Sequence, residues 1–211
     1  MATAVYLEIG KRRVFASAAD WPGWVRSGKD ETAALESLAS AQGRYAAVPK
    51  GARIAFAPGG GFDVVERLPG NATTEFGAPG AIAKGETKRL TKKEAGRLSA
   101  LVAASWTVFD HVVETTPEAL RKGPRGGGRD RDAMVEHVLG AEVMYARKLG
   151  LRLKQPAAVD TAALREHRNA IVAGIRAGTR GTTDGGWPAR YAARRIAWHV
   201  LDHAWEMEDR S

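Results

Sequence analysis

The chain has 211 residues, 44% of them hydrophobic and 27% charged, which is typical of a globular protein rather than a disordered one. It contains no cysteine, which excludes disulfides, thiolate catalysis by the chain itself and any zinc site built on sulfur. The net charge is +8, with +2 in residues 1–85 and +6 in residues 86–211, and this excess favours anionic partners. Because no signal-peptide core and no apolar run of about 18 residues occurs, we expect a cytoplasmic protein without a membrane span.

Residues 1–85 combine strand and helix signals. Alternating hydrophobicity and turn residues predict four strands, the first two forming a hairpin, at Ala4–Ile9, Val14–Ala16, Arg53–Ala57 and Phe62–Arg67. Between the strand pairs, Asp30 is placed to cap a helix that runs to about Ala46. Residues 68–84 have no hydrophobic period, which indicates a linker or an ordered extended segment.

Residues 86–211 have the 3.6-residue period of amphipathic helices. Helix-capping signals and this period predict four helices, at residues 91–114, 130–150, 160–178 and 187–209. Four such helices with short or glycine-rich connections are most economically arranged as a four-helix bundle. The expected fold class is therefore α+β: a small α+β domain over residues 1–85, followed by an all-α four-helix bundle over residues 86–211.

Histidine placement is the main functional signal. His199 and His203 are four residues apart on the last helix, so both side chains lie on one face about one turn apart. His137 lies on the interior stripe of the second helix, and three neutral imidazoles would leave a fourth metal position for water or substrate. The alternative is a hydrogen-bonded polar pair and a separate buried histidine. His167 lies at the edge of its stripe and is a weaker candidate for a fourth ligand, whereas His111 is expected to be exposed.

Two sequence segments are similar to a known family. MVEHVLGAE in the second helix and WHVLDHAWEMEDR in the fourth resemble the DinB/YfiT-like four-helix proteins, and the resemblance extends over residues 88–211. In that family, one histidine of the second helix and an H-x-x-x-H pair of the last helix bind a divalent metal. The resemblance therefore implies metal ligation by His137, His199 and His203.

The resemblance also implies a class of chemistry. The better-understood DinB/YfiT-like proteins resemble thiol-dependent S-transferases and isomerases that use low-molecular-weight thiols. A metal with an open position lowers the pKa of a bound thiol or water, and zinc and nickel both suit imidazole ligands. Because the chain lacks cysteine, a thiol nucleophile would have to come from a cofactor. We therefore expect a metal-dependent transferase or hydrolase that acts on a small molecule.

One carboxylate is placed to act behind the histidines. Glu206 follows His199 by seven residues and returns to the same helix face, where it could orient an imidazole or assist proton transfer. The alternative is a surface ion pair between Glu206 and either Arg194 or Arg195.

Basic residues are concentrated between the first two long helices. Guanidinium and ammonium groups there could form an anion-binding rim at the mouth of the site, with Arg121, Lys122 and Arg125 as the candidates. The alternative interpretation is a solvated loop, since three consecutive glycines, Gly126 to Gly128, also suit a linker.

The first half resembles a different family. Its hairpin, the D-W-P-G-W turn and the S-G-K-D-E-T-A-A-L-E-S-L segment are similar to HicB-like antitoxin domains, through Asp20, Pro22, Gly23, Gly28, Asp30, Glu31, Ala33, Ala34 and Leu35. This resemblance implies a rival function, a binding or regulatory protein whose first half recognises protein or nucleic acid. No nucleic-acid motif is readable, because the basic residues form no helix face interleaved with aromatics. A further alternative is a homodimer whose tryptophans lie in cores and at an interface.

Overall fold

The computed structural model describes residues 2–123, 127–178 and 185–211, which form an α+β fold as expected. The first half contains four strands, β1 (Thr3–Ile9), β2 (Val14–Ala18), β3 (Val25–Gly28) and β4 (Phe62–Pro69). Its short helices are α1 (Glu31–Ser40), α2 (Gln42–Tyr45), α3 (Ala47–Gly51), α4 (Ala72–Phe76) and a 3-10 helix, Lys84–Thr87. The second half contains four long helices, α5 (Lys92–Thr115), α6 (Arg131–Lys148), α7 (Thr161–Ala177) and α8 (Ala189–Arg210).

The strands form one mixed sheet in the order β3-β2-β1-β4. β1 runs antiparallel to β2 and parallel to β4, so the predicted hairpin is confirmed. Val5 and Leu7 of β1 are fully buried, as is Leu38 of α1. Alternate residues of the central strand therefore bury their side chains in the core, as period-2 patterning requires.

The prediction of a strand at Arg53–Ala57 is wrong. That segment follows α3 without regular structure, and Arg53 has a positive φ of 56°. Ile54 and Phe56 still pack against the core, which explains the alternating pattern without a hydrogen-bonded neighbouring strand. The fourth strand of the sheet is instead β3, which was not predicted because its Arg-Ser-Gly ending has no alternating hydrophobic residues.

The segment between β4 and α5 is ordered rather than a loose linker. The buried carboxylate of Glu8 accepts hydrogen bonds from the backbone N–H groups of Gly80 and Ala81, both at 2.9 Å, and from the Thr74 hydroxyl. Asn71 caps the N-terminus of α4. One acidic side chain of the sheet therefore fixes the position of α4 and of the chain that follows it.

The four long helices begin and end within about two residues of the predicted positions. α8 packs against α5, α6 and α7, and α5 also packs against α7; a four-helix bundle topology stays a prediction. One apolar core is shared by the sheet and these helices. Gly23 has a φ of +93°, and a Cβ there would lie 2.6 Å from Leu201 Cδ1, so glycine lets the turn before β3 approach α8. None of the helices described is both long and apolar enough to cross a bilayer.

Candidate metal centre

Three histidines meet between α6 and α8. His199 and His203 lie one turn apart on α8, and His137 faces them from α6. Nε2 of His137 is 3.3 Å from Nε2 of His199, and one nitrogen from each of the three rings lies within 4.8 Å of the others. The three imidazoles that the sequence singled out therefore lie close enough to bind one metal ion.

The nitrogen spacing agrees with the geometry of a divalent metal site. Two imidazole nitrogens that each lie about 2.0–2.1 Å from a tetrahedral zinc ion are about 3.3 Å apart. The distance between His137 and His199 is 3.3 Å, so these two rings would need little movement to share an ion. His203 completes the triangle, with its ring centroid 4.6 Å from that of His199 and 4.9 Å from that of His137.

Burial keeps the central imidazoles in the form that binds metals. Desolvation lowers the pKa of His199 well below its usual value, and the neighbouring His203 and His137 lower it further. Burial also lowers the pKa of His137, with a smaller contribution from His203. Because the neutral form of each ring then dominates at neutral pH, both rings keep a free nitrogen lone pair.

Glu206 contacts the His203 ring at Nδ1, the nitrogen that would not bind the metal. Its Oε2 lies 3.1 Å from His203 Nδ1, and Arg210 Nη1 donates to its Oε1 at 2.8 Å. The hydrogen bond with His203 lowers the pKa of Glu206, so this carboxylate is ionised and favours the tautomer with hydrogen on Nδ1. In that tautomer Nε2 of His203 is free to bind a metal. The sequence placed Glu206 on the helix face of His199, and in the structure it contacts the other histidine of the pair; its orienting role stays a prediction.

The alternative ion pairs of Glu206 do not occur in the part of the chain that the structure describes. Arg194 instead contacts Glu86, with Nε 2.6 Å from Oε1. Arg195 borders a pocket next to the histidines.

This pocket, of about 570 Å³, opens beside the three histidines. Its lining is largely apolar, contributed by Phe76, Gly77, Ala78, Gly140, Ala141, Met144, Tyr145 and Trp198. Phe76 is 91% exposed and belongs to α4, so the first half of the chain supplies part of the wall. The charged side chains of the lining are Arg129, Arg195 and Asp202.

Arg121 and Lys122, two of the three residues predicted to form an anion-binding rim, do not line this pocket. Arg121 donates hydrogen bonds to the backbone carbonyls of Asp209 and Ser211, at 2.6 and 3.1 Å, and so binds the end of α8. Lys122 pairs with Asp130 at 3.5 Å, and Arg125 lies outside the described residues. Two cationic groups do border the pocket: Arg129, which belongs to the basic stretch predicted between the first two long helices, and Arg195, which was not singled out as an anion-binding residue from the sequence. Arg195 could have been found from the sequence, because it precedes His199 by four residues and therefore lies on the same face of the last helix.

His167 is not a fourth ligand. It is buried, and its Nε2 lies 3.5 Å from Glu142 Oε2. Trp106 Nε1–H donates to the other oxygen of Glu142 at 2.7 Å, and burial raises the pKa of Glu142 to about 7. The remaining histidine, His111, is exposed as predicted. Sequence reasoning missed this second polar cluster because Glu142 lies among apolar residues of α6.

No model of a protein family matches the sequence, no curated protein is significantly similar to it, and no solved structure matches its fold. The resemblances to DinB/YfiT-like proteins and to HicB-like domains thus rest on the residues that suggested them. Function must be argued from the arrangement of the side chains.

Proposed function

We propose that this protein is a divalent-metal-dependent enzyme in which His137, His199 and His203 bind the ion. The observation that carries the proposal is the convergence of three imidazoles within 4.8 Å at the wall of a pocket. Three protein ligands leave a coordination position for water, a thiol or substrate, which is the pattern of catalytic rather than structural sites. The adjoining pocket is large enough for a small-molecule substrate.

We expect zinc or nickel, which both suit imidazole ligands, and a divalent ion bound there would lower the pKa of a coordinated water or thiol towards neutrality. The chain's own part is to hold neutral imidazoles in place, with Glu206 orienting His203. Tyr145 and Trp198 line the pocket beside the imidazoles. Because the chain has no cysteine, a nucleophilic thiol would be a low-molecular-weight cofactor. We favour transfer of such a thiol to an electrophile over hydrolysis, on the strength of the DinB/YfiT-like resemblance.

The first half of the chain has a part in this proposal. Phe76, Gly77 and Ala78 line the same pocket as the histidines, and Glu8 fixes the segment that carries them. These contacts favour a role in shaping the substrate pocket over independent recognition of protein or nucleic acid.

Metal analysis of the purified, untagged protein tests the proposal. We expect about one equivalent of zinc or nickel per chain, and its loss in His199→Ala because one of three ligands is removed. His111→Ala is the matched control, since that imidazole is exposed on α5, and it should retain the metal. Absence of metal even after reconstitution, or equal metal in both variants, would contradict the proposal. Protein that holds the metal should then be assayed with thiols and electrophiles, and turnover without a thiol would identify hydrolysis instead.

A further inference from the structure

Arg195 differs from the other buried arginines. Of the four arginines buried within the described residues, three each contact a carboxylate: Arg168 with Asp110 at 2.7 Å, Arg194 with Glu86 at 2.6 Å and Arg210 with Glu206 at 2.8 Å. Arg195 is only 7% exposed, and its buried Nη1 has no hydrogen-bond acceptor among the residues described. A buried guanidinium without an anionic partner is costly, so a missing partner is a natural explanation.

Aromatic rings take the place of an acidic partner. The guanidinium carbon of Arg195 lies 4.6 Å from the centroid of the Trp198 ring and 5.5 Å from that of Tyr145. Cation–π contacts offset part of the cost of burying the charge. They use the π-faces of the rings and leave the N–H groups of the guanidinium available to an oxygen acceptor.

The balance of charge around the pocket favours an anion. Arg129 and Arg195 both line it, and Asp202 is the acidic residue of the lining. Asp202 is already paired, because Arg26 Nη1 of β3 lies 3.1 Å from its Oδ1. The pocket therefore presents positive charge that the described side chains do not neutralise.

We infer that Arg195 binds the carboxylate of a molecule that occupies this pocket. The fork of the guanidinium matches a carboxylate bidentately, and the surrounding rings and Met144 suit an apolar body. Arg195 precedes His199 by four residues, so the carboxylate subsite lies about one helical turn, about 6 Å along α8, from the nearer histidine of the pair on that helix. The position of the ligand's other end, at the metal, rests on the proposed function; the carboxylate subsite itself does not require the metal.

Experiments on metal-free protein test the carboxylate subsite at Arg195 independently of the proposed metal site. Benzoate and benzamide have the same shape, and only benzoate carries the charge, so NMR titration with both isolates the contribution of the carboxylate. We expect wild type to bind benzoate at least about tenfold more tightly than benzamide, the ratio that a charge-assisted hydrogen bond supplies. Arg195→Gln should remove this preference, and Arg195→Lys should retain part of it because the charge remains.

Two further variants control for the loss of one positive charge and for misfolding. Arg176→Gln removes an exposed cation from the end of α7 and should leave the preference unchanged. Arg195→Met keeps an apolar stem between the rings, so it should remain folded by thermal melting and also lose the preference. An unchanged preference for benzoate in folded Arg195→Gln and Arg195→Met, or no preference in wild type, would overturn the inference.

Cobalt-loaded protein identifies the source of the carboxylate. Thiolate binding to cobalt is followed by its charge-transfer absorption, with 3-mercaptopropionate compared with 2-mercaptoethanol. A preference for 3-mercaptopropionate that depends on Arg195 assigns the carboxylate to the thiol. A preference for benzoate over benzamide without a preference for 3-mercaptopropionate assigns the carboxylate to the second substrate. Either result supports a carboxylate subsite at Arg195. Failure to bind cobalt would overturn the metal-dependent function and leave the metal-free benzoate titration to decide on Arg195.

Discussion

Helix α6 contributes to two polar clusters, one on each of two sides, and the two are built on opposite principles. The histidine cluster, His137, His199 and His203, brings together three bases at the wall of a pocket. The carboxylate cluster, Glu142, His167, Arg168, Trp106 and Asp110, brings together an acid, a base and a cation that contact one another. Groups of opposite charge attract one another, and here Trp106 and Asp110 hydrogen-bond to Glu142 and Arg168, although Glu142 Oε2, both ring nitrogens of His167 and Arg168 Nε have no hydrogen-bond partner among the described residues. Bases of one kind repel one another when charged and need an external partner. The histidine cluster is therefore suited to binding a ligand, and the carboxylate cluster to packing inside the protein.

The strongest test of this contrast is the removal of Glu142. In Glu142→Ala the Trp106 indole N–H loses its acceptor and a cavity replaces a fully buried side chain. We expect the free energy of unfolding to fall by about 3–5 kcal/mol, measured by urea denaturation. Glu136→Ala on the exposed face of the same helix is the control, with a change of about 0.5 kcal/mol or less. Similar losses in the two variants would show that the carboxylate cluster is not a stabilising element.

A smaller effect should appear in the dependence of stability on pH. Burial raises the pKa of Glu142 from 4.5 to about 7, so the folded state favours the protonated acid. Its stabilising contribution is complete below pH 4.5 and is lost as the pH rises through about 7. Glu142→Gln keeps the shape and an acceptor for Trp106 but cannot ionise, so it should gain about 2 kcal/mol relative to wild type between pH 5 and 8.

The free energy of unfolding of Glu142→Gln must be compared with that of wild type at each pH, because a buried histidine destabilises the fold as the pH falls, whereas Glu142 destabilises it as the pH rises. Burial lowers the pKa of His167, so its contribution is lost as the pH falls, in both proteins alike. A stability difference between wild type and Glu142→Gln that stays constant from pH 5 to 8 would contradict the assignment of a protonated Glu142.

The smallest effect concerns the carboxylate behind the histidine cluster. Glu206→Gln keeps a hydrogen-bond acceptor near His203 but removes the charge that favours hydrogen on Nδ1. We expect metal affinity to weaken by about tenfold, as for other carboxylates that orient a metal-binding histidine, measured by competition with a chelator. Glu208→Gln, which alters an exposed ion pair with Arg44, should leave the affinity unchanged. Equal affinities in wild type and Glu206→Gln would reduce Glu206 to a partner of Arg210.

Much of the helical half was predictable because its signals are local. The Thr91–Glu94 capping box and the Asp160 cap both form as the sequence indicates, since each depends on residues three positions apart. The sheet was less predictable because a strand is defined by its partners. Arg53–Ala57 alternates like a strand but has no neighbour to pair with, whereas β3 lacks the pattern and pairs with β2.

The sequence by itself determined the pairing of His199 and His203, because four residues on one helix place two side chains on one face. It also excluded thiolate ligands, since the chain has no cysteine. Only the tertiary structure decided that His137 meets this pair, that His167 contacts Glu142 instead, and that Arg195 borders the pocket without an acidic partner among the described residues. Each of these facts depends on how separate helices pack, and no local pattern encodes the distance between residues far apart in the chain.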